Sequence, residues 1–318
     1  MSAGGLVHWD DVQTHPDEEG HFAATWRFLG RESGAGAWTV NRIDIVPNRW
    51  STPAHVEDEE IFYVLRGSGL SWQDGKVYEV REGDCIVHRA GREAHTLRAG
   101  DDGLNVLVFG RRGYDGHATL PRAGVTWLGR SWVQSGEGGH PWEQEIAAGE
   151  PEVGEPGERP ENIVNVDALE PDDEGDRILA TEAGAMQAGM HHRTLGPGVA
   201  AVPAHCHSAE EEIFVMLEGT ATLELIPSPR AAAFGAEEEQ HELRAGHVVC
   251  RPGGTRVSHF FRGGGEGAVM LVWGSKDPND IAYYPRSNKI NFRGVGLIAR
   301  LDNLEYSDGE PEFGGEAI

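Results

Sequence analysis

The stretch Pro203-Ala-His-Cys-His-Ser-Ala-Glu-Glu-Glu-Ile-Phe-Val-Met-Leu-Glu-Gly219 is the part of the chain that best predicts its fold and its chemistry. Because side chains alternate along a β-strand, His205 and His207 point to one side of the strand and Cys206 points to the other. Two imidazoles on one face, with the Glu212 carboxylate close by, form a ligand set that suits a divalent metal ion. The stretch therefore predicts a metal site on a strand.

A second, diverged copy of this stretch occurs earlier in the chain, as Pro53-Ala-His-Val-Glu-Asp-Glu-Glu-Ile-Phe-Tyr-Val-Leu-Arg-Gly67. Further on, the run from His95 to Gly110 matches the run from His259 to Gly274 with the same spacing. The spacing also agrees onward to one Pro-Arg pair in each half. A repeated unit at fixed spacing indicates two copies of one domain. We predict an N-terminal domain at residues 1–160 and a C-terminal domain at residues 161–318.

The pattern inside each copy is typical of β-structure. Short apolar or alternating runs are separated by glycine and Asp-Gly turns, without a long helical period. In the first copy these predicted strands are Ile61–Leu65, Gly69–Trp72, Val77–Val80, Cys85–His88, Thr96–Arg98 and Leu104–Phe109. Many short strands with regular turns predict an all-β fold with an antiparallel sandwich or barrel in each half.

The composition excludes several classes of partner. The 318 residues contain 27 Lys and Arg against 52 Asp and Glu, a formal charge of -25 that repels nucleic acids and anionic membranes. Three cysteines without a CxxC pair predict a reducing compartment rather than a disulfide framework. The sequence shows neither a signal peptide pattern nor a long apolar run. We therefore expect a soluble, cytoplasmic protein that acts on a small molecule.

The motif in the second copy resembles the two-part signature of the cupin superfamily, and the repeat makes the chain similar to a bicupin. The signature continues from Gly219 to Gly246, Pro252-Gly253-Gly254 and His259, with a longer gap before this histidine than the commonest cupin form. The resemblance implies two jelly-roll, or double-stranded β-helix, barrels. It also implies that one divalent metal lies inside the C-terminal barrel on four ligands, His205, His207, Glu212 and His259.

This ligand set suits Fe, Mn, Ni, Cu or Zn better than Ca or Mg. The first copy lacks one imidazole, because Glu57 takes the place of the second histidine when the copies are aligned on Pro-Ala-His. His55, Glu57, Glu60 and His95 still offer a second, oxygen-rich metal site. The alternative is a degenerate barrel that is retained for packing.

Two hypotheses for the function follow. The first is a metal-dependent oxygenase, decarboxylase or isomerase whose small oxygenated substrate chelates the ion through two oxygens. Phe214 and Phe260 would line its pocket, and Arg193 either clamps a substrate carboxylate or lies on the surface. The second is a non-catalytic module that binds metal and ligand, such as a sensor. The resemblance also makes a homodimer reasonable, and the fold alone does not choose between the hypotheses.

Overall fold

The computed structural model describes residues 5–111, 117–128, 131–134, 141–302 and 304. Within these residues the chain forms 22 strands and four short α-helices, which confirms the predicted all-β fold. In the same ranges, no helix has the length and apolar content that crossing a bilayer requires.

The elements are numbered in chain order. The first half contains β1 Leu6–His8, β2 Thr14–Glu19, β3 Phe22–Arg27, β4 Trp38–Ile45, β5 Glu60–Gln73, β6 Lys76–Arg81, β7 Asp84–His88, β8 His95–Arg111, β9 His117–Leu120, β10 Val125–Leu128 and β11 Ser131–Gln134. The second half contains β12 Ile163–Asn165, β13 Asp176–Ile178, β14 Ala188–Leu195, β15 Cys206–His207, β16 Glu212–Pro227, β17 Glu239–Arg244, β18 His247–Arg251, β19 Val257–Ser275, β20 Ile281–Tyr284, β21 Lys289–Phe292 and β22 Leu297–Arg300. The helices are α1 Leu29–Glu32, α2 Pro141–Ala147, α3 Leu179–Glu182 and α4 Pro229–Ala233.

Each half of the chain builds one large antiparallel sheet. The strand order is β12-β7-β5-β8-β4-β3-β2 in the N-terminal barrel, with β6 paired to β5. In the C-terminal barrel it is β1-β18-β16-β19-β14-β13, with β17 paired to β16. The small sheets β11-β10-β9 and β15-β20-β21-β22 complete the described β-structure. The two halves therefore repeat one architecture, as the internal sequence repeat predicts.

The glycine that ends each copy of the motif lies where a long strand bends. Two of the predicted strands, Ile61–Leu65 and Gly69–Trp72, are parts of the single strand β5, whose register shifts beside Gly67. Gly67 has a φ of 88°, and a Cβ there would lie 2.3 Å from the carbonyl oxygen of Gly103. Gly219 repeats this close approach in β16, at 2.2 Å from the carbonyl oxygen of Gly267. Only glycine fits either position, so the strand continues through the bend rather than ending there.

The two barrels are joined by exchanged elements. Strand β1 pairs with β18 of the C-terminal barrel, and β12 pairs with β7 of the N-terminal barrel. Between the barrels lies one apolar cluster with residues from both, among them Leu29, Leu179 and Trp273. The predicted division between residues 160 and 161 stays a prediction, and β12 pairs across it.

Leu29 and Leu179 are fully buried in this shared cluster. We expect Leu29→Ala and Leu179→Ala each to lower the free energy of unfolding by about 2–5 kcal/mol, because each change removes apolar contacts and leaves a cavity. Urea denaturation followed by tryptophan fluorescence measures the loss. The exposed Val199 serves as the control, and Val199→Ala should change stability by about 0.5 kcal/mol or less. A similar small loss for both leucine variants would contradict a shared core.

Candidate metal centre

Four side chains meet inside the C-terminal barrel. His205 precedes β15 and forms an antiparallel bridge with His259 on β19. His207 ends β15, and Glu212 begins β16. The three histidines are nine-tenths or more buried. Strand pairing therefore places the ligands predicted from one short stretch beside a histidine from the distant strand β19.

The imidazoles converge on one oxygen of Glu212. The Nε2 atoms of His205, His207 and His259 lie 3.7, 3.4 and 2.9 Å from its Oε2 atom. Oε2 of Glu212 and Nε2 of His207 and His259 are buried, yet none has a hydrogen-bond partner among the described residues. Buried polar atoms without partners are rare in folded proteins, and several at one point indicate a missing shared partner. The group fits a divalent cation that all four side chains would bind.

The other ring nitrogens orient two of these imidazoles. Nδ1 of His205 lies 2.8 Å from the carbonyl oxygen of Pro203, and Nδ1 of His207 lies 2.6 Å from a carboxylate oxygen of Asp280. Since these acceptors require a proton on Nδ1, the neutral form of each imidazole directs its Nε2 lone pair toward the Glu212 carboxylate. This arrangement of outer partners is the one that metal-binding histidines need.

Charge and burial oppose each other at this centre. Burial alone would lower the pKa of His207, but its contacts with the Asp280 and Glu212 carboxylates raise it to about 10. Burial would raise the pKa of Glu212, but the neighbouring charge of His259 and the contacts with the other imidazoles hold it well below its usual range. Burial also lowers the pKa of His259 to about 4, despite the nearby Glu212 carboxylate. Glu212 is therefore ionised at neutral pH and available to a cation.

Asp280 was missed by the sequence reasoning. It is 1% exposed and accepts hydrogen bonds from the backbone N–H groups of Ala209 and Glu210, as well as from His207. A comparison of the two sequence copies could have indicated this role of Asp280. With the copies aligned on Gly110 and Gly274, Asp280 corresponds to Gly116, and with the copies aligned on Pro-Ala-His, its partner His207 corresponds to Glu57. The first copy therefore lacks both members of this pair.

A cavity of about 390 Å³ opens beside the centre. Phe214 and Phe260 both line it, as does Tyr284, whose ring stacks on His205 at 5.8 Å between centroids. Arg193 also lines the cavity but is 6% exposed, so the surface alternative is wrong. Its guanidinium group already forms a two-point ion pair with Asp176, which sequence reasoning did not identify.

The two glutamates before Glu212 point in different directions. Glu210 lines the cavity and pairs with Arg293, with 3.1 Å between a guanidinium nitrogen and a carboxylate oxygen. Glu211 instead accepts hydrogen bonds from the backbone N–H groups of Gly36 and Trp38 in the N-terminal barrel. Of the three adjacent carboxylates, Glu212 is thus the one placed among the imidazoles.

The N-terminal barrel repeats part of this centre. Its Glu60 carboxylate oxygen lies 3.3 Å from Nε2 of His55 and 2.8 Å from Nε2 of His95, and both contacts have hydrogen-bond geometry. Glu57 lines the same cavity, of about 230 Å³. Burial and the nearby Glu60 charge raise its pKa well above the usual range. The ring of His88 stacks on His95 at 3.7 Å. The structure thus places His55, Glu57 and Glu60 on one cavity, and His95 contacts Glu60 beside it.

Two comparisons with known proteins agree with this architecture. Residues 41–109 match the family model described as a cupin domain. A structure of Bacillus subtilis oxalate decarboxylase, described with Mn(II) centres, is 16% identical, with a TM-score of 0.59 over 87% of this chain and 78% of that one. Lactobacillus farciminis oxalate decarboxylase in a formate complex is also 16% identical, with a TM-score of 0.58 over 87% of both chains. No curated protein matches the sequence.

These findings define a protein with two barrels in tandem. Residues 41–109 match the cupin domain model, and the chain as a whole has the fold of the two oxalate decarboxylases. The family model matches the N-terminal copy, which lacks one imidazole. At 16% identity, the likeness to the oxalate decarboxylases concerns the fold alone.

We expect Asp280→Asn to weaken the affinity of the candidate centre for a divalent ion by about 10-fold to 100-fold, because His207 loses the carboxylate that holds its Nδ1 proton. Isothermal titration of chelator-treated protein with Mn(II) measures the affinity. Asp302→Asn is the control, since it removes the same charge at an exposed position. Equal affinity in both variants would contradict the role of Asp280.

A pH-dependent contribution to stability is expected from the N-terminal barrel. Burial opposes a charged His55, but the hydrogen bond and charge of Glu60 raise its pKa to about 9. A raised pKa stabilises the fold fully below the ordinary histidine value of 6.5, and this contribution is lost as the pH rises through about 9.

With a chelator present, His55→Gln should therefore lower the free energy of unfolding by about 3 kcal/mol at pH 6 and by much less at pH 9.5. Urea denaturation at both pH values measures the difference between wild type and variant. A difference that does not change with pH would show that His55 is uncharged in the folded protein.

Proposed function

We propose that this chain is a metal-dependent enzyme, with its ion held in the C-terminal barrel by His205, His207, Glu212 and His259. The observation that carries the proposal is the convergence of the three Nε2 atoms on one Glu212 oxygen, with buried atoms that lack hydrogen-bond partners among the described residues. Fe, Mn, Ni, Cu and Zn all accept such ligands. The Mn(II) centres of the Bacillus subtilis protein make manganese the first ion to test.

The cavity limits the substrate to a small molecule. About 390 Å³ beside the ligands accommodates a small organic acid or a compound of similar size. Lys276 lines the cavity, is exposed, and pairs with no carboxylate in the described part of the chain. This cation favours an organic acid over a phenol or a diketone. A bound ion would supply Lewis acid chemistry at two substrate oxygens or, if it is iron, would activate dioxygen.

The residues of the cavity have distinct roles in this proposal. Phe214 packs against His259, at 5.1 Å between ring centroids, and forms an apolar wall. Phe260 contributes a second apolar surface under the guanidinium group of Arg286. Arg193 is held by Asp176, so it fixes the shape and charge of the pocket and leaves Lys276 as the cation for a substrate carboxylate. Apart from the proposed ligand Glu212, Glu210 is the cavity carboxyl group nearest His207, at 3.8 Å, and is the candidate proton carrier.

Among the reaction types that this scaffold supports, decarboxylation is the first to test, since the two oxalate decarboxylases have the same fold. Dioxygenase and isomerase activities remain alternatives within the proposal. A non-catalytic sensor is the outcome if the ion binds without turnover. The division at residues 160 and 161, a cytoplasmic location and a homodimer likewise stand as proposals.

The test has two parts. Protein purified without chelator should contain one transition-metal ion per chain that is lost in His207→Ala and retained in His241→Ala, a histidine outside the cluster. Anaerobic reconstitution with Mn(II) or Fe(II) should then give carbon dioxide release or oxygen uptake with a member of a panel of oxalate, hydroxy acids, catechols and diketones. Retention of the ion in His207→Ala would refute the ligand assignment. Binding without turnover would favour the sensor.

For the pocket, Lys276→Gln should raise the KM for an anionic substrate about 10-fold, with a smaller change in kcat, because a charged contact to a carboxylate is lost. Steady-state kinetics over a range of substrate concentrations measure both constants. Lys289→Gln, a change of the same kind outside the cavity, is the control. An unchanged KM in Lys276→Gln would exclude this lysine from substrate binding.

A further inference from the structure

The residue before the proposed carboxylate ligand reaches into the other barrel. Oε1 of Glu211 lies 2.5 Å from the backbone nitrogen of Gly36, and its Oε2 lies 3.2 Å from that of Trp38. Glu211 is 4% exposed, so both contacts are shielded from water. A buried carboxylate needs such donors, since an unpaired charge is strongly destabilising at a buried position.

The main chain at Glu211 is also held inside its own barrel. Its backbone nitrogen donates to the hydroxyl of Ser275, and its carbonyl oxygen accepts from the Ser275 backbone nitrogen, each at 2.9 Å. Because neighbouring residues of an extended chain point to opposite sides, Glu211 points outward and Glu212 points into the barrel. The hydrogen bonds of Glu211 therefore constrain the backbone from which the Glu212 carboxylate projects.

A glutamate of the N-terminal barrel makes the equivalent contact with the backbone of the C-terminal half. Glu59, the residue before Glu60, accepts hydrogen bonds from the backbone N–H groups of Met186, Gln187 and Ala188, at 2.7, 2.9 and 3.0 Å. The two carboxylates thus join the barrels in a reciprocal way. Only Glu211 neighbours a carboxylate of the proposed C-terminal metal centre, so Glu59 offers a matched control with the same chemistry at the same interface.

We propose that Glu211 is a positioning residue for the C-terminal metal centre, and that the segment from Gly36 to Trp38 of the N-terminal barrel sets the affinity of that centre through it. This inference rests on the proposed function, since it requires an ion on Glu212. The N-terminal barrel then acts in metal binding at the other barrel as well as in packing.

Gly36 provides a way to disturb this contact without changing a charge. A Cβ at this position would lie 3.0 Å from Oε2 of Glu211, close enough to displace the carboxylate. The variant Gly36→Ala therefore lies in one barrel, while its expected effect is on metal binding in the other. Glu211→Gln is the second variant, because the NH2 group of the glutamine side chain cannot accept a hydrogen bond.

The experiment is a Mn(II) titration of chelator-treated full-length protein, followed by the EPR signals of free and bound Mn(II). The ion whose signal is lost in His259→Ala defines the C-terminal centre. Glu211→Gln and Gly36→Ala should each raise its Kd about 10-fold and broaden its bound spectrum, as loss of an outer-shell contact does. Glu59→Gln should lower the melting temperature as Glu211→Gln does, and should leave this Kd within about twofold.

Equal loss of thermal stability in Glu59→Gln and Glu211→Gln, with an unchanged Kd and spectrum in Glu211→Gln and Gly36→Ala, would overturn the inference and leave these glutamates as interface contacts only. Absence of binding of any of Mn(II), Fe(II), Ni(II), Cu(II) and Zn(II) to the wild-type protein would instead refute the proposed function, and this inference with it. The two failures are therefore distinguishable in one series of titrations.

Discussion

The structure depends on one shared apolar core between two β-barrels. Strand β1 completes the C-terminal sheet and β12 completes the N-terminal sheet, so each barrel requires an element from a distant part of the chain. The cluster around Leu29, Leu179 and Trp273 removes both facing surfaces from water, which is the dominant favourable term in such an association. The two halves consequently stabilise each other, and contacts at their interface reach the residues next to both histidine clusters.

Because side chains alternate along a strand, neighbouring glutamates lie one at the barrel interface and one in the histidine cluster. At the start of β5 and of β16, one glutamate points into the barrel and the glutamate before it points to the other barrel. Glu60 and Glu212 meet imidazoles, whereas Glu59 and Glu211 accept backbone hydrogen bonds across the interface. The pocket and the interface therefore share one stretch of backbone, and a rigid interface limits the positions open to the inward carboxylates.

The two clusters differ because one pair of residues differs. In the C-terminal barrel, Asp280 orients His207, and buried nitrogen and oxygen atoms at the centre lack hydrogen-bond partners among the described residues. In the N-terminal barrel, Glu57 takes the place of that histidine, and Glu60 has hydrogen bonds from two imidazoles. Hydrogen bonds between its own side chains satisfy the N-terminal cluster, while the C-terminal cluster retains ligand atoms without partners among the described residues. This difference supports placing the proposed ion in the C-terminal barrel.

The sequence alone determined the duplication and the all-β class, because strand alternation and matched spacing are local properties of the chain. The proposed ligand set came from the resemblance of its motif to the cupin signature. The tertiary structure alone decided that β5 continues through Gly67, that Arg193 is neutralised by Asp176, and that Asp280 orients His207. The contacts of Asp280 and Glu211 join residues more than 70 positions apart in the chain. No local sequence pattern predicts such a contact, since it forms only when sheet pairing and barrel packing bring the two segments together.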